Sequence, residues 1–220
     1  MPLKENNTLN LIEVFASVQG ETTFSGLPTT FVRLAACNLR CSWCDTTYSF
    51  GKGHPWSFDK IHSVIADKGC PYVCITGGEP LLQSSVYPFM QQLCDKGYTL
   101  SLETSGSLPI EKVDSRVHTI LDIKCPGSGM ESKNFWENMQ FLRPQDEVKF
   151  VIKDRNDYIY AKNVCAKYEL EKRHLHPLFS PVHGALPPEQ LVKWIIEDRL
   201  AVRLNLQIHK FIWTPETRGV

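Results

Sequence analysis

Short apolar runs alternate along this chain with segments of helical period. β-Branched and apolar residues concentrate at 11–15, 30–34, 72–76, 98–103, 117–122, 148–152, 174–179 and 202–208, each of strand length. Residues 57–68 predict a helix capped by Ser57. Residues 84–96 place Tyr87, Met90, Leu93 and Cys94 on one helical face and stop at Gly97. Further helices are predicted over 134–142, 157–168 and 189–199, the last entered through Pro187-Pro188. Strands alternating with helices imply right-handed β-α-β units and an α/β fold with a mostly parallel sheet. An open sheet and a partly closed barrel both fit this pattern. In either, the ligand site belongs at the carboxyl ends of the strands.

Composition narrows the class. At 220 residues and 42% apolar, the chain suits one domain, or at most two small ones. Its 24 basic and 24 acidic side chains cancel, which gives no electrostatic case for nucleic acid or a membrane surface. No apolar stretch approaches the roughly 20 residues that cross a bilayer. No secretory signal is read at the amino terminus, so reduced thiols, a cytoplasmic location and a small-molecule partner are expected.

The chemistry is concentrated in Cys37-Asn38-Leu39-Arg40-Cys41-Ser42-Trp43-Cys44-Asp45-Thr46. Three thiolates at this spacing can hold three irons of a [4Fe–4S] cube and leave the fourth iron open to a small molecule. A closed structural zinc site completed by another ligand is the alternative. Cys70, Cys94, Cys125 and Cys165 form no second tight pair, and Cys74, within an apolar run, reads as a buried small hydrophobe. After the strand at 72–76 comes Gly77-Gly78-Glu79-Pro80. Paired glycines let a ligand approach the backbone, and Glu79 either accepts from an ammonium or caps the next helix.

C-x3-C-x2-C followed one strand later by Gly-Gly-Glu-Pro resembles the radical S-adenosylmethionine (SAM) superfamily. Further segments narrow the likeness: Val18-Gln19-Gly20-Glu21, Arg33, Asp45-Thr46, Glu103-Thr104-Ser105-Gly106, Asp122-Ile123-Lys124-Cys125-Pro126 and Gln207-Ile208-His209-Lys210. Together they resemble the 7-carboxy-7-deazaguanine synthase family of queuosine and deazapurine biosynthesis. The resemblance implies a single radical SAM domain over 1–220, folded as a partial (β/α) barrel. It implies a [4Fe–4S] cluster on Cys37, Cys41 and Cys44, SAM on the open iron, and a Mg²⁺ ion taking an oxygen of Thr46. Trp43, Gly78, Glu79, Thr104, Ser105, Asp122, Ile123 and Lys124 would contact SAM. The familiar Ser-Pro-Lys of the family is Asp122-Ile123-Lys124 here, which weakens the first two of those contacts.

The implied substrate is 6-carboxy-5,6,7,8-tetrahydropterin. Val18, Gln19, Gly20, Glu21, Arg33, Thr76 and His209 would bind it, with the Arg33 fork on its carboxylate. A 5′-deoxyadenosyl radical would start a ring contraction that releases ammonia, with no protein side chain as catalyst. The resemblance further implies a flavodoxin- or ferredoxin-type reductant and a homodimer. Duller readings stand beside these roles: a surface turn for Gln19-Gly20-Glu21, a helix cap for Thr46, and a core histidine for His209. Rival functions are an activase that makes a glycyl radical on a partner protein and a non-catalytic metal-binding protein.

Overall fold

The computed structural model describes residues 7–214 and 217–219. Its strands are β1 (Thr8–Val18), β2 (Pro28–Leu34), β3 (His54–Ser57), β4 (Tyr72–Gly77), β5 (Thr99–Thr104), β6 (His118–Ile123), β7 (Glu147–Ile152), β8 (His176–Pro181) and β9 (Arg203–Leu204). The helices are α1 (Phe58–Lys68), α2 (Val86–Asp95), α3 (Arg155–Lys167), α4 (Pro188–Glu197) and α5 (His209–Ile212). They form one nine-stranded sheet in the order β3-β1-β2-β4-β5-β6-β7-β8-β9. From β2 to β9 every pairing is parallel, while β1 runs antiparallel to both β2 and β3. The sheet is an incomplete barrel whose two outer strands do not pair among the described residues.

Local chemistry explains most of the boundaries. Ser57 caps α1 by accepting from the Lys60 amide at 3.3 Å, as its position predicts. Asp154 caps α3 by accepting from the Asn156 and Asp157 amides, which starts that helix earlier than the apolar period indicates. Pro188 occupies the first turn of α4. β3 is not predicted, because His54-Pro55-Trp56-Ser57 contains a proline and no alternation. It forms at the sheet edge, where proline's missing N–H is tolerated.

Two elements differ from expectation. Residues 134–142 make only a 3₁₀ turn, Trp136–Gln140. The buried Asn138 amide accepts from the Ile110 amide and donates to the carbonyls of Gly106 and Leu108, tying this stretch to the preceding loop. Residues 202–208 give just the two-residue β9; the chain then leaves the sheet, and Asn205 and Gln207 turn toward Glu21.

Side-chain alternation separates a dry face from a charged one. Val32, Leu34, Val73, Ile75, Leu100, Leu102, Leu121, Ile123, Val148, Phe150 and Ile152 join Ile61, Phe89, Met90, Leu93 and Tyr158 of the helices in one core. The intervening positions Arg33, Thr76, Glu103, Asp122 and Lys149 point the other way, across the inner face. Register aligns Arg33 with Thr76 and Asp122 with Lys149 on neighbouring strands. A polar stripe therefore lines the concave side of the sheet.

Candidate active site

The cysteine loop begins where β2 ends and is bonded to the end of β4. The Gly78 amide donates to the Leu34 carbonyl at 3.1 Å and the Glu79 amide to the Ala36 carbonyl at 2.8 Å. A Cβ on Gly78 would lie 2.0 Å from the Ala36 oxygen and 2.8 Å from the Cys37 Cβ, so only glycine permits this approach. Cys37, Cys41 and Cys44 are free and half-buried. The Leu39 amide donates to the Cys37 sulfur at 3.4 Å. Ser42 anchors the loop to the β6–β7 crossover through the Ser128 and Gly127 carbonyls. Burial pushes the Cys37 and Cys41 thiols up, and the Lys124 ammonium works against it.

Among the described residues, no three His, Cys, Asp or Glu side chains converge on a single ion. A cube makes a different demand, because each thiolate takes its own iron. Three accessible thiols on one loop, beside a cation and an amide donor to sulfur, fit such a cluster. Cys125 and Cys74 are fully buried, and burial drives both thiols up, so neither belongs to the ligand set.

Glu79 sits where the ends of β4 and β5 meet. It is fully buried and accepts four hydrogen bonds: Leu81 N and Thr104 Oγ1 on one oxygen, Ser105 N and Ser105 Oγ on the other. Those fill a carboxylate's lone-pair positions. The expectation that Glu79 itself accepts from an ammonium is therefore corrected: it caps Pro80–Leu82 and locks the ends of β4 and β5 together. Ile123 needs a similar correction, because its side chain belongs to the core and leaves only backbone for a ligand. Lys124 is held by Asn134 at both its amide and its carbonyl, and its ammonium pairs with Asp122 at 3.0 Å. Trp43 is half-buried within the cysteine loop.

The Gln19-Gly20-Glu21 segment arrives from the opposite end. It follows β1, at the amino end of β2, yet reaches into the barrel. Gln19 Nε2 donates to Glu103 Oε1 at 3.4 Å, and Thr76 Oγ1 donates to Glu103 Oε2 at 2.9 Å. Glu21 pairs with Lys149 and accepts from Asn205 Nδ2 at 3.2 Å and Gln207 Nε2 at 2.7 Å. Burial opposes the Glu21 charge, but Lys149 and the hydrogen bond from Gln207 together outweigh it and keep the carboxyl below its ordinary pKa. Burial likewise opposes the Lys149 charge, and Glu21, Asp122 and Glu103 together raise its pKa. Glu103 is pushed up by burial, which Lys149 only partly offsets.

Two residues further along the loop, Thr23 donates through amide and hydroxyl to the fully buried Glu147, which also meets His118 at 3.2 Å and Arg203 at 3.3 Å. A surface turn is thus excluded for Gln19 and Glu21, both buried. Val18 is half-buried and closes β1 against Pro28.

Arg33 carries its own partner. Its Nε donates to Glu13 Oε1 at 2.8 Å, directly across β1 and β2, and Tyr48 OH donates to the same oxygen. The cost of burying Arg33 is met within the protein, so that cost alone does not demand a ligand anion.

The carboxyl-terminal segment completes the inner face. The Ile208 amide donates to the Gly20 carbonyl, and a Cβ on Gly20 would lie 2.0 Å from His209 Nδ1. Glycine there lets the imidazole pack on the loop. His209 is half-buried and burial lowers its pKa, so it is not a core histidine. Lys210 Nζ donates to Asp45 Oδ2 at 2.9 Å and to Gln207 Oε1 at 2.6 Å. Thr46 Oγ1 donates to Asp45 Oδ1 at 3.0 Å and makes no cap bond to the following 3₁₀ turn. Thr46 and the half-exposed Asp45 carboxylate are hard oxygen donors of the kind Mg²⁺ takes.

Sequence reasoning gave no role to Glu13, Lys149, Asn205 or Lys210. Lys149 left one signal: a lysine inside an apolar strand has to be paired.

A parallel half-barrel with a three-cysteine loop against a diglycine strand end is the architecture of a radical SAM protein, and residues 32–118 match the Radical SAM superfamily. The 7-carboxy-7-deazaguanine synthase of Koribacter versatilis is 44% identical over 96% of this chain and 100% of its own length. That of Chlorobaculum tepidum is 42% identical, over 96% of this chain and 97% of its own length. The chain belongs to the 7-carboxy-7-deazaguanine synthase family, whose members are radical SAM lyases built on a [4Fe–4S] cluster and SAM. This decides against the glycyl-radical activase and the non-catalytic reading. QueE from Escherichia coli shares the fold, with a TM-score of 0.76 at 20% identity over 94% of this chain and 99% of that one. Streptococcus suis SuiB matches more loosely, with a TM-score of 0.55 over 82% of this chain and 48% of its own. No helix among the described residues is long and apolar enough to cross a membrane.

Proposed function

We propose that the inner face binds 6-carboxy-5,6,7,8-tetrahydropterin and directs its contraction to 7-carboxy-7-deazaguanine with loss of ammonia. The observation that carries this reading is the convergence of Gln19, Glu21, Arg33, Thr76 and His209, distant in sequence, on one concave surface beside the cysteine loop. The cluster and SAM, when bound, supply the one-electron chemistry that removes a hydrogen atom from the substrate.

The chain's own work is recognition and orientation. Arg33 takes the substrate carboxylate while Nε stays with Glu13. Gln19 and Glu21 read the polar edge of the pterin, whose adjacent donors and acceptors match an amide beside a carboxylate. Thr76 and His209 bound the ring. Thr46 offers an oxygen to Mg²⁺, which orients the substrate's anionic groups. Gly78, Thr104 and Ser105 with the backbone of 122–124 face SAM, and Glu79 holds them in place rather than touching it. A flavodoxin- or ferredoxin-type donor would approach Asn38, Arg40 and Ser42, the exposed side of the cysteine loop.

The test is anaerobic turnover by reconstituted protein with SAM, reductant, Mg²⁺ and the carboxypterin, followed by mass spectrometry. The expected product is 7-carboxy-7-deazaguanine. Reductive cleavage of SAM without any deazaguanine would discard the substrate.

A further inference from the structure

An unbroken line of side-chain hydrogen bonds joins the cation side of the site to the pterin side. Thr46 Oγ1 donates to Asp45 Oδ1 at 3.0 Å, and Lys210 Nζ donates to Asp45 Oδ2 at 2.9 Å. The same ammonium donates to Gln207 Oε1 at 2.6 Å, and Gln207 Nε2 donates to Glu21 Oε1 at 2.7 Å. Lys210 is its centre. Its neighbours on α5, Phe211 and Ile212, are 69% and 55% exposed, yet the Lys210 side chain is only 9% exposed because it turns inward.

We propose that Lys210 is a positioning residue for both ligands of the site, setting Thr46 through Asp45 and Glu21 through Gln207. This rests on the pterin and magnesium reading given above. The geometry explains each arm. Asp45 accepts the hydrogen bond of the Thr46 hydroxyl, which leaves that oxygen's lone pairs for a hard cation. Lys210 fixes the Asp45 carboxylate in that pose and neutralises it, so that it holds the threonine instead of swinging free. On the other arm, an oxygen accepting from Lys210 commits the Gln207 amide to present its N–H to Glu21. Glu21 is then held by Gln207 on one oxygen and by Lys149 and Asn205 on the other. An ammonium has three donors and no plane, so it can serve acceptors lying in two directions.

The experiment compares the native reconstituted enzyme with Lys210→Met, Lys210→Arg, Asp45→Asn and Gln207→Leu. Two dissociation constants are read without turnover: that of Mn²⁺, a paramagnetic probe of the cation position, and that of the carboxypterin in metal-free buffer. Lys210→Met should weaken both, the cation by about 10-fold or more, with Lys210→Arg recovering part of each. Asp45→Asn should weaken Mn²⁺ alone and Gln207→Leu the pterin alone. Iron content and thermal midpoint certify folding. If Lys210→Met fails to fold, the split between Asp45→Asn and Gln207→Leu carries the decision. Native constants in Lys210→Met, or a single-ligand effect, overturn the proposal while the functional reading stands. A native enzyme that binds neither probe overturns the functional reading, and this proposal with it.

Discussion

The cysteine loop and the charged inner face meet in the same half-barrel but are held by different forces. The loop is fixed by backbone: amides of Gly78 and Glu79 on carbonyls of β2 and the segment after it, with side chains left half-exposed for a cofactor. The inner face is fixed by side chains. Glu21, Lys149, Asp122 and Lys124 form a largely shielded chain of alternating charge, and Gln19 and Thr76 donate to the Glu103 carboxyl group on its flank. A backbone-built site survives substitution around it and depends on a few glycines. A charge-built site depends on every partner, because removing one leaves another buried and unpaired.

The largest contrast should lie between two cysteines. Cys41→Ala should abolish SAM cleavage and lower iron per chain, whereas Cys125→Ala, a core substitution, should leave iron per chain unchanged. Equal iron loss in both variants would break the division between loop and core.

Next comes Lys149→Met. It strands the Glu21 carboxylate, and urea unfolding should show a loss of about 3–5 kcal/mol. Combining it with Glu21→Gln should recover part of that loss. A single variant as stable as native would mean that water, not Lys149, compensates Glu21.

Glu79→Gln sharpens the comparison on the cofactor side. One oxygen becomes an NH₂ group facing two donors, which should cost about 1–3 kcal/mol of stability. SAM affinity should weaken alongside, since the ends of β4 and β5 lose their common tie. Weakened SAM binding at undiminished stability would instead restore a direct contact.

The smallest effect is the acid limb of stability. Burial opposes ionisation of Glu147, but hydrogen bonds from His118 and Thr23 outweigh it and hold its pKa below the ordinary 4.5. A lowered folded pKa means that this stabilisation is fully present above pH 4.5 and is lost as pH falls below it, through the depressed value. Unfolding midpoints from pH 6 down to about pH 3 should therefore fall less steeply in Glu147→Gln than in the native protein. Parallel curves would remove Glu147 from the acid response.

Much of the fold was legible because period and caps act locally. Seven of the eight predicted strands formed and the eighth was cut to the two-residue β9, Ser57 capped α1, and Pro188 opened α4. What failed was decided by distant partners. Asn138 was drawn into the loop at 106–110, so 134–142 became a 3₁₀ turn. The tail left the sheet after β9 because Asn205, Gln207 and Ile208 bond to the loop after β1. In the site, the cysteine spacing stood complete in eight consecutive positions, while Lys149 was a single lysine in an apolar strand.

By itself the sequence determined the α/β alternation, the thiol set and the glycines that bring it against β4, since each depends on covalent spacing or on a missing Cβ. Tertiary structure alone decided that the Glu79 carboxylate braces the ends of β4 and β5, that Arg33 is already paired with Glu13, and that Gln19 and Glu21 enter the barrel from its amino end. Those outcomes turn on which charges lie within reach across as many as 186 residues of chain, as between Glu21 and Gln207. Burial strengthens such pairings far beyond what the same charges would show in water, so only the packed sheet could select them.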